Sequence, residues 1–279
     1  MQRTSNPPAD AGKTVLDAGK TVLKARTFEC MGTVIGLTMP VDFPAEGQPG
    51  LAEFAAATAV VERLFQDLDE TFSLYRPDSE ASRLARGELK LPQASARMRE
   101  RYAEAHEWRL RTEGAFTPER PDGVLDLSGI IKGHAIREAG TSLLALGRGD
   151  WCLNAGGDVL VSGSPSPGTP EPWKAGIVDP ADRRTLITGY ALGGNSGHEA
   201  IATSGSAERG EHIWRVGNEG EFVQVTVAAA DMVTADVLAT AIVAGGTRML
   251  DRAADGWDVA VLAVRADGSM LATPGFQPA

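Results

Sequence analysis

A chain of 279 residues with 43% hydrophobic content holds enough apolar surface for a core, in one large domain or two small ones. Its formal net charge of -10, with 27 Lys and Arg scattered along it, argues against a nucleic-acid footprint; an anionic ligand would be held by a few placed groups and a metal ion. No stretch approaches about 18 consecutive apolar residues, so no membrane span is expected.

Residues 1–26 read as a disordered or weakly helical leader in which Ala-Gly-Lys-Thr-Val-Leu occurs twice, at 11–16 and 18–23. Its two Gly-Lys-Thr triplets are not phosphate loops, because Pro7 and Thr14 stand where the required upstream glycine belongs. The leader lacks the apolar region and cleavage site of a secretory signal, which predicts a cytoplasmic protein with a single domain over 27–279.

Within that domain a first strand is expected at 27–39 and an amphipathic helix at 51–68. A polar connector at 69–80 carries Tyr75 and Arg76, a second helix covers 95–111, and a turn follows at 114–118. The stretch Asp126-Leu127-Ser128-Gly129-Ile130-Ile131-Lys132-Gly133 is a polar turn feeding a helix over 136–146. Strand, glycine bend and strand follow at 151–163, with Asn154 and Asp158 beside the bend, and a Pro/Ser/Gly loop at 164–172 is the candidate for mobile surface. Short strands at 173–178, 185–191, 200–204, 212–216 and 222–228 precede an apolar helix at 231–244, a short one at 247–253 and a hairpin over 259–273. Helices and strands come in runs, which predicts an α+β fold with mainly antiparallel sheet. Cys30 and Cys152, in strand segments without metal spacing, read as buried reduced thiols.

Three features carry chemistry. Lys132 beside glycines at a helix start suits a phosphate group, the alternative being a simple turn with the lysine in solvent. Asp236 and Thr240, four apart and so on one helix face, offer hard oxygen ligands of the kind Mg2+ takes. A threonine also bonds readily to its own helix, but a charge in so apolar a helix needs a partner. His212 could act as a general base or be a strand-edge residue.

Taken in order, Met31-Gly32-Thr33, Phe72 through Glu80, Gly114-Ala115-Phe116, Asp126 through Gly133, Asn154-Ala155-Gly156-Gly157-Asp158, Trp173 through Pro180, Ala202-Thr203-Ser204-Gly205, His212-Ile213 and Ala235-Asp236 through Thr240 resemble the ApbE family of FAD:protein FMN transferases. The resemblance implies an α+β architecture related to the tunnelling fold, FAD as substrate, Mg2+ as cofactor, and transfer of FMN to a threonine or serine hydroxyl of a target flavoprotein. Hydrolysis of FAD to FMN and AMP, or flavin binding without catalysis, are the alternatives. By position, Asp236, Thr240 and the Gly129 carbonyl would hold Mg2+. Asp126 and Lys132 would hold FAD, Met31 and Tyr75 would flank the flavin or its chain, Ala115, Phe116 and Thr117 would meet the nucleotide, and Ile213 would join them. His212 and Lys132 would act in catalysis. Two departures stand out: Thr117 replaces the usual Asp, and His212-Ile213-Trp214-Arg215 lacks the Asp-Pro-x-Thr that ordinarily follows His-Ile-Ile.

Overall fold

The computed structural model describes residues 20–43, 49–194, 196–205 and 220–279. Its centre is an eight-stranded sheet whose hydrogen-bonded neighbours are all antiparallel, in the order β1-β2-β3-β4-β7-β8-β9-β10. These strands are β1 (Lys20–Cys30), β2 (Thr33–Phe43), β3 (Trp151–Ala155), β4 (Asp158–Ser162), β7 (Ala200–Gly205), β8 (Phe222–Ala229), β9 (Val259–Arg265) and β10 (Met270–Ala272). A separate ribbon pairs β5 (Trp173–Val178) with β6 (Leu186–Leu192). The helices are α1 (Pro49–Phe72), α2 (Glu80–Ala85), α3 (Ala96–Arg111), α4 (Ser128–Ala145) and α5 (Met232–Gly256). The α+β expectation holds, as does the dominance of antiparallel pairing.

Strand alternation sorts the side chains into two layers. Leu153, Leu160, Ala200, Ala202, Val225, Val227, Val261 and Ala263 join α1, α4 and α5 in the main core. Val159, Val161, Ile201, Ala228, Ala260 and Leu262 face the other way and pack on Trp173, Ile177, Tyr190 and Leu192 of the ribbon and on Phe276. Asp158 lies two residues before Leu160, and Ser204 two after Ala202, so both project from the helix-covered face. α5 is long and apolar enough to cross a bilayer, but it runs through this core and is mostly buried there.

The start of the chain departs from the sequence reading. Residues 27–39 are not one strand: Met31 and Gly32 both take positive φ, 51° and 69°, making a two-residue turn that folds β1 back on β2. β1 also begins at Lys20, so residues 20–26, assigned above to the leader, are paired from Lys20↔Phe43 to Arg26↔Leu37. α1 runs on through Phe72, absorbing the first residues expected in the connector. α5 is interrupted at Gly246 (φ 63°), which accounts for the two helices expected there.

α4 differs most. It starts at Ser128, eight residues ahead of the expected helix, because Asp126 Oδ1 accepts from Ser128 N at 2.9 Å and Leu127 O accepts from Ile130 N and Ile131 N, each at 3.0 Å. Small residues then let it lie close to its neighbours. A Cβ on Gly133 would meet Asp236 Oδ2 and Val233 Cα at 3.2 Å, and one on Gly140 would meet Trp151 Cη2 at 2.7 Å. The two cysteines are free and only half-buried; burial pushes the Cys152 thiol up to about 11.

Candidate active site

A cleft of about 830 Å³ opens where the β1–β2 turn, the C-terminal end of α1 and the first turns of α4 meet. Met31 reaches it from the turn, Leu68 and Phe72 from α1, Leu74, Tyr75 and Arg76 from the segment after α1, Asp126 from just before α4, and Ile131 and Lys132 from α4. Four predicted nucleotide contacts, Met31, Tyr75, Asp126 and Lys132, therefore share one cleft although the sequence spreads them over a hundred residues. Tyr75 is 87% exposed, an unusual state for so large a ring and one suited to stacking on a planar ligand. Arg76 is anchored to Asp69 at 3.3 Å.

Ala115, Phe116 and Thr117 are not among the cleft-lining residues. Phe116 is buried, its amide held by Thr112 Oγ1 at 3.1 Å and its ring within 3.1 Å of where a Gly129 Cβ would stand. It supports the first turn of α4 from beneath. Thr117 donates to Glu119 Oε2 at 2.8 Å, and Ala115 packs toward Gly245 of α5. An apolar ring between small residues serves here as a packing element beneath α4, outside the cleft that Met31, Tyr75, Asp126 and Lys132 line.

Lys132 lies in the second turn of α4, not at its N-terminus, and the N–H groups of Ser128, Ile130 and Ile131 are already bonded. Three of the donors at the helix start are thus already engaged within the protein. The Lys132 ammonium, with its side chain only 14% exposed, is ion-paired with Asp158 Oδ2 of β4 and lies 3.6 Å from Asp236 Oδ1 of α5. Asp158 Oδ1 accepts from Thr203 N at 3.0 Å, and Asp236 Oδ2 accepts from Gly133 N at 3.0 Å. Asp158 is fully buried and Asp236 2% exposed, so among the described residues these two buried carboxylates flank the Lys132 ammonium.

Thr240, one turn along from Asp236, exchanges a hydrogen bond with Ser204 Oγ at 3.0 Å. Gly133 N is the donor that helix geometry would aim at the Gly129 carbonyl four residues earlier, and Asp236 Oδ2 engages it. The predicted metal-ligand residues thus belong to α4 and α5 where Gly133 brings those helices together. No group of three or more His, Cys, Asp or Glu able to hold a metal occurs among the described residues. One carboxylate with neutral oxygens is the sparse donor set Mg2+ accepts, as it keeps several waters and takes phosphate oxygens. His212 and Ile213 lie outside the described residues.

The residue that the sequence did not assign to the site is Asp158. Its signal was a carboxylate opening a strand and followed directly by the apolar run Val159-Leu160-Val161, so that burial without a counter-charge would be costly.

The model of the ApbE family matches residues 31–120 and 117–262. An FAD:protein FMN transferase of Rhodobacter capsulatus is 33% identical over 159 residues, which cover 54% of this chain and 30% of that protein. The match thus spans under a third of the curated relative. Among solved structures, flavin transferase ApbE from Vibrio cholerae superposes with a TM-score of 0.69 at 24% identity, covering 92% of this chain and 99% of that one. Flavinyl transferase ApbE from Pseudomonas stutzeri gives 0.70 at 21%, covering 94% and 97%. At those identities the likeness is one of fold.

Proposed function

The chain belongs to the ApbE family, and from that premise we propose that it transfers FMN from FAD to a threonine or serine hydroxyl of a partner flavoprotein, with release of AMP and with Mg2+ as cofactor. The observation that carries this reading is the joining of an apolar cleft to a buried cluster holding the carboxylates of Asp158 and Asp236 through Lys132, which belongs to both. Apolar walls with a few convergent polar groups suit a flavin ring system whose chain ends in a pyrophosphate.

Asp236, Thr240 and the Gly129 carbonyl would hold Mg2+, and one carboxylate beside neutral oxygens supports a cation there. When bound, the ion would neutralise charge on pyrophosphate oxygens. Met31 and Tyr75 flank the flavin, Asp126 and Lys132 hold FAD, with Lys132 as the cation for its phosphate chain, and the cleft walls keep water from the reacting phosphorus. The acceptor oxygen bonds to the phosphorus of the FMN half as the bond to the bridging oxygen breaks, and AMP leaves with that oxygen. His212 takes the acceptor hydroxyl's proton, a step generally worth about two to four orders of magnitude in rate.

Incubation of the protein with FAD and Mg2+, with and without a threonine-bearing acceptor peptide, tests the reading. Flavin fixed to the peptide with one AMP per label supports it. Free FMN and AMP in both arms makes the protein a pyrophosphatase instead, an outcome of interest because Arg215 stands where relatives carry the acid after the histidine. Unchanged FAD in both arms refutes catalysis.

A further inference from the structure

We propose that Asp158 is a positioning residue whose charge holds the Lys132 ammonium off Asp236, keeping that carboxylate available to a divalent cation. This rests on the metal placement proposed above. The two carboxylates that flank Lys132 are not equivalent. Asp158 Oδ1 is satisfied by Thr203 N, while Oδ2 has no hydrogen-bond partner among the described residues and is ion-paired with the ammonium, in a side chain that is fully buried. Asp236 Oδ2 is bonded to Gly133 N, and its Oδ1 stands 3.6 Å from the ammonium, beyond direct hydrogen-bond length. Asp158 is thus committed to Lys132, whereas Asp236 can exchange the lysine's field for that of a metal.

A buried ammonium needs a carboxylate partner. Neutralising Asp158 leaves Asp236 as the one anion of the pair, and Lys132 closes on it. The lysine then competes with the cation for the same oxygen. Asp158 therefore acts on the metal through Lys132 without touching it, and the pairing lets a positive charge for the phosphate chain sit beside a cation site without displacing the cation.

Mg2+ is titrated into FAD-free protein by calorimetry, with a thermal melt for each variant. D158N keeps an oxygen for Thr203 N and loses only the charge; it is expected to weaken Mg2+ binding roughly tenfold, the scale of one charge-assisted contact. D158N/K132Q, which removes the competitor, is expected to return to within about threefold of K132Q alone, a rescue that general damage to the fold cannot give. Wild-type affinity in D158N, or no rescue in the double variant, overturns the proposal. If D158N fails to melt cooperatively, K132Q decides: tighter binding than wild type supports competition by Lys132, and equal or weaker binding refutes it. D236N serves as the separate control, since wild-type affinity there would refute the metal placement itself, whereas its loss alongside an unaffected D158N would refute only the role of Asp158.

Discussion

Alanine at Gly133 and at Gly140 should separate the site from the stability of the helix that carries both. Replacing a helical glycine by alanine gains about 1 kcal/mol in propensity, and overpacking a core costs about 1–3 kcal/mol. At Gly140 the new Cβ would stand 2.7 Å from Trp151 Cη2 and 3.0 Å from Leu160 Cδ2, both on buried side chains, so the steric cost wins by about 1–2 kcal/mol. At Gly133 the nearest atoms are at 3.2 Å and need yield only a few tenths of an ångström, so the two effects roughly cancel. Those atoms are Val233 Cα and Asp236 Oδ2, however, and α5 cannot move away without stretching the 3.0 Å bond from Gly133 N to Asp236. G140A should therefore lower Tm by about 3–6 °C with unchanged Mg2+ dependence. G133A should melt within about 2 °C of wild type but need several-fold more Mg2+ for half-maximal turnover. Differential scanning calorimetry and Mg2+ titration of FMN transfer give the two readouts. Wild-type Mg2+ dependence in G133A would show that the approach of α4 to α5 does not set the metal site.

Asp236→Ala should abolish Mg2+-dependent turnover while Thr240→Ala raises the Mg2+ requirement more mildly, because only the first removes a formal anion; full activity of Asp236→Ala at limiting Mg2+ would disprove the assignment. His212→Ala should slow transfer by about two orders of magnitude or more while leaving FAD affinity close to wild type, and a proportional loss of binding would make His212 a ligand contact. Deleting residues 1–24 should lower Tm, as it strips the pairs from Lys20↔Phe43 to Lys24↔Met39 and uncovers buried Val41; an unchanged melt would show that this part of β1 contributes no stability. The hydroxyl and N–H of Thr247, helped by Arg265, hold the Glu221 carboxyl below its ordinary value of 4.5. A depressed carboxylate stabilises the fold above its unfolded pKa and loses that contribution as pH falls through the lower folded value. The stability gap between wild type and Glu221→Gln should therefore be full at pH 7 and shrink below about pH 4.5, and a gap constant to pH 3 would show that the charge is not responsible.

What could be read from the residues alone was local. Apolar patterning placed α3 and most of α5, and the structure shows Ser95 and Asp231 capping those helices, accepting from Met98 N and Thr234 N. The spacing of Asp236 and Thr240 needed only the pitch of a helix. The turn at Met31 escaped notice because methionine seldom takes positive φ, so the apolar run through it looked continuous. The early start of α4 escaped because Ser-Gly resembles a turn, and what makes it helical is the bond that Ser128 N donates to the Asp126 carboxylate together with the support of Phe116.

Asp158 and Lys132 show why the site was only half legible. They are 26 residues apart, and no periodicity links a residue in a helix to one in a strand. Their encounter depends on three things: which face Asp158 takes, which the pleat of β4 fixes; how close α4 lies to α5, which Gly133 permits; and how Oδ1 of Asp158 is pinned, which Thr203 N of β7 provides across the β4–β7 pair. The first can be read from alternation, since Val159 and Val161 alternate with Leu160. The others require knowing that β4 neighbours β7, a pairing made across the ribbon that intervenes in the chain. A lysine beside glycines therefore suggested an exposed phosphate ligand, whereas tertiary packing turned it toward a buried anion. The polarity of the pair was visible in the sequence, but the partner was not, because burial is a property of the assembled layers and each buried charge must be resolved by whichever opposite charge those layers bring within reach.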